Sequence, residues 1–138
     1  MLKVLVADDE RIAREIIVLL LNEQAGYKVI QQASDAQDVL YKVANDQPDI
    51  IFLDIQMPGM TGIELAAQLP ANIVVVFVTA YDEYAVQAFQ LNAVDYLLKP
   101  FEDQQFVDVW QRAKQRLQNN KQSNHQGISQ AVAALQNQ

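Results

Sequence analysis

From Ile50 to Leu53 four apolar residues run without interruption into Asp54, and Met57-Pro58-Gly59 turns the chain soon after. An apolar run of this length with a turn signal behind it predicts a strand covered on both faces, as in a parallel sheet. Such a strand needs helices above and below it, which restricts the fold more than any bulk property does. A carboxylate at its carboxyl end stands where open α/β sheets carry their chemistry.

The rest of the chain supplies the matching units. Leu2 to Ala7 reads as a first strand, ending at Asp8-Asp9-Glu10. A helix follows with Ile12, Ile16, Leu19 and Leu20 as its apolar stripe and Gly26 as a stop signal. Lys28 to Ala33 is a second, more polar strand, and Ser34 or Asp35 can cap a helix bearing Val39, Leu40 and Val43. After the opening strand, Thr61 caps a short helix that Pro70 closes. Ile73 to Val78 is an unbroken apolar strand ending at Thr79-Ala80, with a fourth helix expected from near Asp82 to about Leu91. Val94 to Leu98 is a fifth strand ending at Lys99-Pro100-Phe101, and Phe106, Trp110, Ala113 and Leu117 recur at helical spacing after it.

Five β-α units predict an α/β, doubly wound five-stranded parallel sheet with helices on both faces. The first, third and fourth strands are nearly all apolar and belong in the middle. The second and fifth carry Gln31, Gln32, Asp95 and Tyr96 and fit the edges. Right-handed crossovers then favour the order 2-1-3-4-5. Strands one and three meet at the switch point, so Asp8 and Asp9 should face Asp54 across one crevice.

From Asn119 the character changes, since nine of the last twenty residues are Asn or Gln. Residues 1–118 are expected to form the folded domain and 119–138 a polar tail leading toward a further C-terminal domain. Within the tail, 118–127 reads as linker and 128–135 as a helix too short to stand alone. Absence of cysteine excludes disulfides and thiol chemistry and fits a reducing cytoplasm. Met1 leads directly into a strand with no signal segment ahead of it, and no apolar run approaches the roughly 20 residues that span a bilayer. The formal charge of −7 argues against this segment gripping nucleic acid itself.

Three carboxylates converging at strand ends repel one another, and without a cation at least one should have a raised pKa. A hard divalent ion relieves this, and a site with few carboxylates, water and a backbone carbonyl suits Mg²⁺. Asp9 and Asp54 are the expected direct ligands, Asp8 would position a metal-bound water, and the Gln56 carbonyl is the backbone ligand. Asp54 is then expected to be the nucleophile that accepts a phosphoryl group. Lys99 would bring a second positive charge and Thr79 a hydroxyl for a phosphoryl oxygen. Taken singly, each residue has a plainer role: Asp8 or Asp9 as a helix cap, Thr79 in a turn, Lys99 in solvent, Tyr96 as a packing aromatic. His125, in the polar tail, carries little weight. The plainer roles lose ground because fitting residues end four strands at one pole.

Asp8-Asp9, Asp54 with Met57-Pro58-Gly59, Thr79-Ala80 and Lys99-Pro100-Phe101 together resemble the receiver domain of two-component response regulators, a flavodoxin-like fold. The resemblance covers residues 1–118. It implies phosphorylation of Asp54 by a cognate sensor histidine kinase, dependence on Mg²⁺, and a cis bond between Lys99 and Pro100. It also implies a switch in which Tyr96 swings inward as Thr79 moves toward the phosphoryl group. Gln56 and Tyr81 stand at positions that affect phosphoryl lifetime in the family.

Tyr81-Asp82-Glu83-Tyr84-Ala85 with Ala93 to Phe101 is similar to the LytTR (LytR/AlgR) class. That implies transcription regulation through a DNA-binding C-terminal domain outside this chain, with homodimer formation on phosphorylation through the fourth helix, fifth strand and fifth helix. Such a protein signals rather than catalyses turnover. A stand-alone receiver acting by protein contact is the alternative. An aspartyl-nucleophile phosphatase is more remote, because such enzymes place an acid/base Asp where Gln56 stands.

Overall fold

In a computed structural model the described residues are 1–84 and 95–136, with side chains described for 1–83 and 95–120. Five parallel strands form one sheet: β1 (Leu2–Ala7), β2 (Lys28–Ala33), β3 (Ile50–Leu53), β4 (Val74–Thr79) and β5 (Asp95–Leu98). Their order is β2-β1-β3-β4-β5, so the expected topology holds. Between them lie α1 (Arg11–Glu23), α2 (Ala36–Asn45) and α3 (Gly62–Gln68), and a C-terminal helix runs over Asp103–Gln136. A 3₁₀ turn covers Asp82–Tyr84. The fourth helix expected from Asp82 to Leu91 lies otherwise outside the described residues.

Alternation along the central strands explains why their sequences are almost continuously apolar. Val4, Val6, Ile50, Phe52, Val74, Val76 and Val78 point to one face, against α1 and the C-terminal helix. Leu5, Ala7, Ile51, Leu53 and Phe77 point to the other, against α2 and α3. β1, β3 and β4 thus bury both of their faces, as period-two side chains require. Phe52 stacks between Phe106 (5.5 Å) and Trp110 (6.2 Å) of the C-terminal helix. This anchors β3 two residues before Asp54.

Local signals place the helix starts. Asp35 accepts from the Asp38 amide at 2.7 Å, and Thr61 accepts from the Glu64 amide at 3.1 Å. Each satisfies a first-turn donor that the helix itself cannot. Gly59, at φ +97°, lets the turn after Pro58 pass through the left-handed region.

Two elements differ from the sequence reading. The buried face of α1 is Ile17, Leu20 and Leu21, while Ile12, Ile16 and Leu19 are exposed. Residues 16–21 are apolar without a break, so spacing alone could not select the core face. The stretch 118–127, read as linker, is helical and continuous with 128–136. Its three Gln and one Lys are good helix formers while its Asn, Ser, His and Gly are weak ones, and extending an existing helix avoids the cost of nucleation.

Candidate functional site

Sheet register sets up the acidic pole. Ala7 pairs with Leu53, so Asp8 and Asp54 each sit one residue beyond the ladder on adjacent strands. Asp54 N–H donates to the Ala7 carbonyl at 2.9 Å, and Asp8 N–H donates to Ala33 at 3.1 Å. Carboxylate oxygens of Asp8, Asp9 and Asp54 all lie within 4.8 Å of one another. Asp8 and Asp54 are buried and Asp9 is exposed, which gives the cluster one open side. Three converging carboxylates open to solvent form a donor set that fits a hard divalent cation.

Lys99 reaches the cluster from the end of β5. Its Nζ donates to Asp8 Oδ2 at 2.6 Å and to Asp54 Oδ2 at 3.1 Å. The ammonium therefore bridges the two buried carboxylates rather than standing in solvent. Its own backbone N–H donates to the Thr79 carbonyl at 2.8 Å, which ties the ends of β4 and β5 together. The Lys99–Pro100 peptide is cis.

Burial pushes the Asp54 carboxyl above the ordinary carboxylate range, and the Asp8 charge adds to this. The Lys99 ammonium and the Gln56 N–H, which donates to Asp54 Oδ1 at 3.2 Å, oppose the shift without cancelling it. For Lys99, burial favours the neutral amine, but bonds and charges of Asp8 and Asp54 outweigh it and raise its pKa. Charge repulsion and desolvation thus act where a cation or a phosphoryl group would relieve them.

Thr79 is fully buried at the end of β4, and its Oγ1 accepts from the Tyr81 amide at 3.4 Å. The Tyr96 hydroxyl donates to the Tyr81 carbonyl, and its ring lies 6.3 Å from Phe77. Tyr81 therefore stands between Thr79 and Tyr96 in one chain of hydrogen bonds. Neither Asp8 nor Asp9 caps α1. The cap residue is Glu10, without a side-chain bond, and its N–H donates to Asp8 Oδ1 at 2.9 Å.

A cleft of about 680 Å³ opens over Asp54, with Asp9, Gln56 and Lys99 in its walls. Ile12 and Ile16 of α1 line one side, and Tyr81, Pro100 and Phe101 are also in the lining. The structure therefore gathers Asp8, Asp9, Asp54, Gln56, Thr79 and Lys99 at one pole. Tyr96 is set back from it, linked through Tyr81. The side chain of His125 is outside the described residues.

Two site-building residues escaped the sequence reading. A Cβ at Gly62 would lie 2.3 Å from the Asp54 carbonyl oxygen and 2.8 Å from Ile55 Cα, so glycine alone lets α3 start against the nucleophile's backbone. Gly62 N–H donates to the Ile55 carbonyl at 2.7 Å across that contact. Arg14 of α1 donates from Nη1 to the Asp8 carbonyl at 2.8 Å and from Nε to Gln32 Oε1 at 3.1 Å. Thr61-Gly62 was visible as a helix start, but its packing partner was not. Arg14 had no signal, because its partners are a carbonyl in the loop after the first strand and a side chain of the second strand.

Comparison with known proteins bears on family and fold. A family model described as the response regulator receiver domain matches residues 4–111. An uncharacterized response regulatory protein of Vibrio cholerae is 47% identical over 94% of this chain and 54% of its own length. The sensory transduction protein LytT of Bacillus cereus is 39% identical over 91% of this chain and 52% of its own. The chain thus spans about half the length of these curated relatives. Among solved structures, the response regulatory domain of protein mrkE from Klebsiella pneumoniae superposes with a TM-score of 0.79 at 33% identity, covering 86% of this chain and 99% of that one.

Proposed function

The chain belongs to the response regulator receiver family, and from that premise we propose that Asp54 accepts a phosphoryl group from the histidine of a cognate sensor kinase. The observation that carries this is the buried Asp54 carboxylate, bridged to Asp8 by Lys99 and within 4.8 Å of Asp8 and Asp9 oxygens. In the step, an Asp54 oxygen forms a bond to phosphorus as the donor's nitrogen–phosphorus bond breaks, and the donor imidazole leaves with its electron pair.

Asp8, Asp9, Asp54 and the Gln56 carbonyl would hold Mg²⁺. When bound, the ion supplies charge neutralisation at the phosphoryl oxygens. Lys99 already contacts an Asp54 oxygen and needs to shift little to meet a phosphoryl oxygen attached there. Thr79 is placed to exchange its long bond to the Tyr81 amide for a shorter one to the phosphoryl group. Because the Tyr81 carbonyl holds the Tyr96 hydroxyl, movement of that segment would release Tyr96 to turn inward. Phosphorylation then shifts a population by adding contacts that only one state can make.

Ile12, Ile16 and Leu19 leave an exposed apolar stripe on α1, and its first two members form a wall of the cleft. A phosphodonor protein must approach Asp54 past this wall, so the stripe is the surface it would cover. We place the protein in the cytoplasm. Among the described residues no helix is long and apolar enough to cross a membrane. Residues 119–138 would join the receiver to an output domain, and the LytTR-class resemblance points to transcription control through DNA binding there. Homodimer formation on phosphorylation would carry the signal between them.

The test is labelling by acetyl phosphate in Mg²⁺. Wild type should gain an acid-stable, base-labile acyl phosphate, and Asp54→Asn should gain none. Unchanged labelling of Asp54→Asn would overturn the assignment.

A further inference from the structure

Asp8 is held from every polar atom. Its N–H donates to Ala33, Oδ1 accepts from the Glu10 amide, and Oδ2 accepts from Lys99. Its carbonyl accepts from Arg14 Nη1 at 2.8 Å. The carbonyl bond differs from the others because its donor is itself anchored. Arg14 Nε donates to Gln32 Oε1 on β2 at 3.1 Å, so the guanidinium is fixed between the end of β1 and the neighbouring strand. The planar fork of arginine suits two divergent acceptors, whereas a lysine ammonium would have to choose between them.

We propose that Arg14 is a positioning residue that sets the acidic loop 8–10 for cation binding, using Gln32 as its brace. This rests on the reading of Asp8, Asp9 and Asp54 as the Mg²⁺ site. The side chain of Arg14 meets that site at the Asp8 backbone carbonyl and not at its carboxylates. It acts on the backbone carbonyl at the point where β1 gives way to the loop, and so on the direction in which Asp8 and Asp9 leave the sheet. Glu10 starts α1 without a side-chain cap, and Arg14 N–H donates to the Glu10 carbonyl at 3.1 Å in the first turn. Arg14 thus holds both ends of the loop, through its backbone at Glu10 and its guanidinium at Asp8.

The sign of one measurement separates positioning from simple charge. A cation near a metal site repels the metal, so deleting the Arg14 charge by itself should tighten Mg²⁺ binding. Loss of a positioning contact should weaken it, and partners just outside the ligand shell are typically worth about 10-fold or more in metal affinity. The experiment uses the 138-residue chain as wild type, Arg14→Met, Arg14→Lys and Gln32→Leu. Mg²⁺ affinity is measured by calorimetry, and hydrogen exchange at the Glu10 amide is measured in metal-free protein.

Arg14→Met keeps the apolar stem and helix propensity, so folding should survive. The expected result is about 10-fold weaker Mg²⁺ binding in Arg14→Met and Arg14→Lys alike, with a smaller loss in Gln32→Leu. Glu10 exchange should accelerate in the same order without metal. Tighter Mg²⁺ binding in Arg14→Met, or full retention in Arg14→Lys, would overturn the proposal in favour of a charge effect. Failure of wild type to bind Mg²⁺ would instead remove the metal-site reading, and the metal-free exchange data would still show whether Arg14 orders the loop.

Discussion

Asp54 is buried beside Asp8, and its raised pKa makes a prediction about stability. In the folded protein it holds its proton to higher pH than in the unfolded chain, so above the unfolded value the folded state binds more protons. Stability then falls as pH rises from the ordinary carboxylate range through the folded pKa, and the cost persists at neutral pH. Asp54→Asn removes the ionisation and should raise the metal-free melting temperature at pH 7, with the difference vanishing as pH falls toward about 4. Thermal melts in chelator across that range check it, where a gain of about 1 kcal/mol would read as about 3–5 °C. An Asp54→Asn advantage that grows toward acid pH would show the opposite linkage. Gly62 makes a second prediction at this scale. A methyl 2.3 Å from the Asp54 carbonyl cannot be accommodated without moving α3 or the nucleophile's own loop. Gly62→Ala should cost about 2–3 kcal/mol in urea unfolding and slow acetyl phosphate labelling, whereas an alanine elsewhere on the surface would change little.

Among the elements, α1 serves two surfaces. Ile17, Leu20 and Leu21 pack on the sheet, while Ile12 and Leu19 are exposed at 71% and 64%. Apolar exposure concentrated on one helix beside the nucleophile's cleft suits transient contact with a partner better than it suits the free protein. Replacing both with serine (Ile12→Ser with Leu19→Ser) should leave the fold and small-donor labelling near wild type. Transfer from a phosphorylated kinase should slow by about 10-fold or more, the scale expected when apolar contacts of 1–2 kcal/mol are lost at an interface. Equal loss with both donors would show that the substitutions damage the site rather than the docking. The C-terminal helix has a different task. Phe106, Val109, Trp110, Ala113 and Leu117 bury one stripe against the sheet, and stacking of Phe106 and Trp110 on Phe52 holds the strand that delivers Asp54. Its rigidity is therefore part of the site although none of its stacking residues reaches the cleft.

Across the molecule, the last buried side chain among the described residues is Leu117, yet the helix continues to Gln136. A chain ending after Asn120 should melt within about 2 °C of the full 138 residues and label equally well, since it keeps every buried side chain among the described residues. A fall of more than about 5 °C would show that the extension supports the domain instead of leading out of it.

Read from residues alone, the chain already determined its sheet order, its burial on both faces and the pole where Asp8, Asp9, Asp54, Thr79 and Lys99 meet. These follow from local rules: continuous apolar runs make central strands, polar ones make edges, and right-handed crossovers leave one topology. Tertiary structure decided what those rules do not encode. The run of apolar residues at 16–21 fits more than one helix face, and only packing on β1 and β3 selected Ile17, Leu20 and Leu21. Gln118 to Gly127 is polar enough for a linker, and only attachment to a formed helix made it helical. Lys99 could have stood in solvent, but two buried carboxylates at neighbouring strand ends draw its ammonium between them. Gly62 and Arg14 were silent in the sequence for a single reason: each acts on the backbone of the loop that leads into its own helix, and the path of that loop is fixed only once helix and sheet have packed.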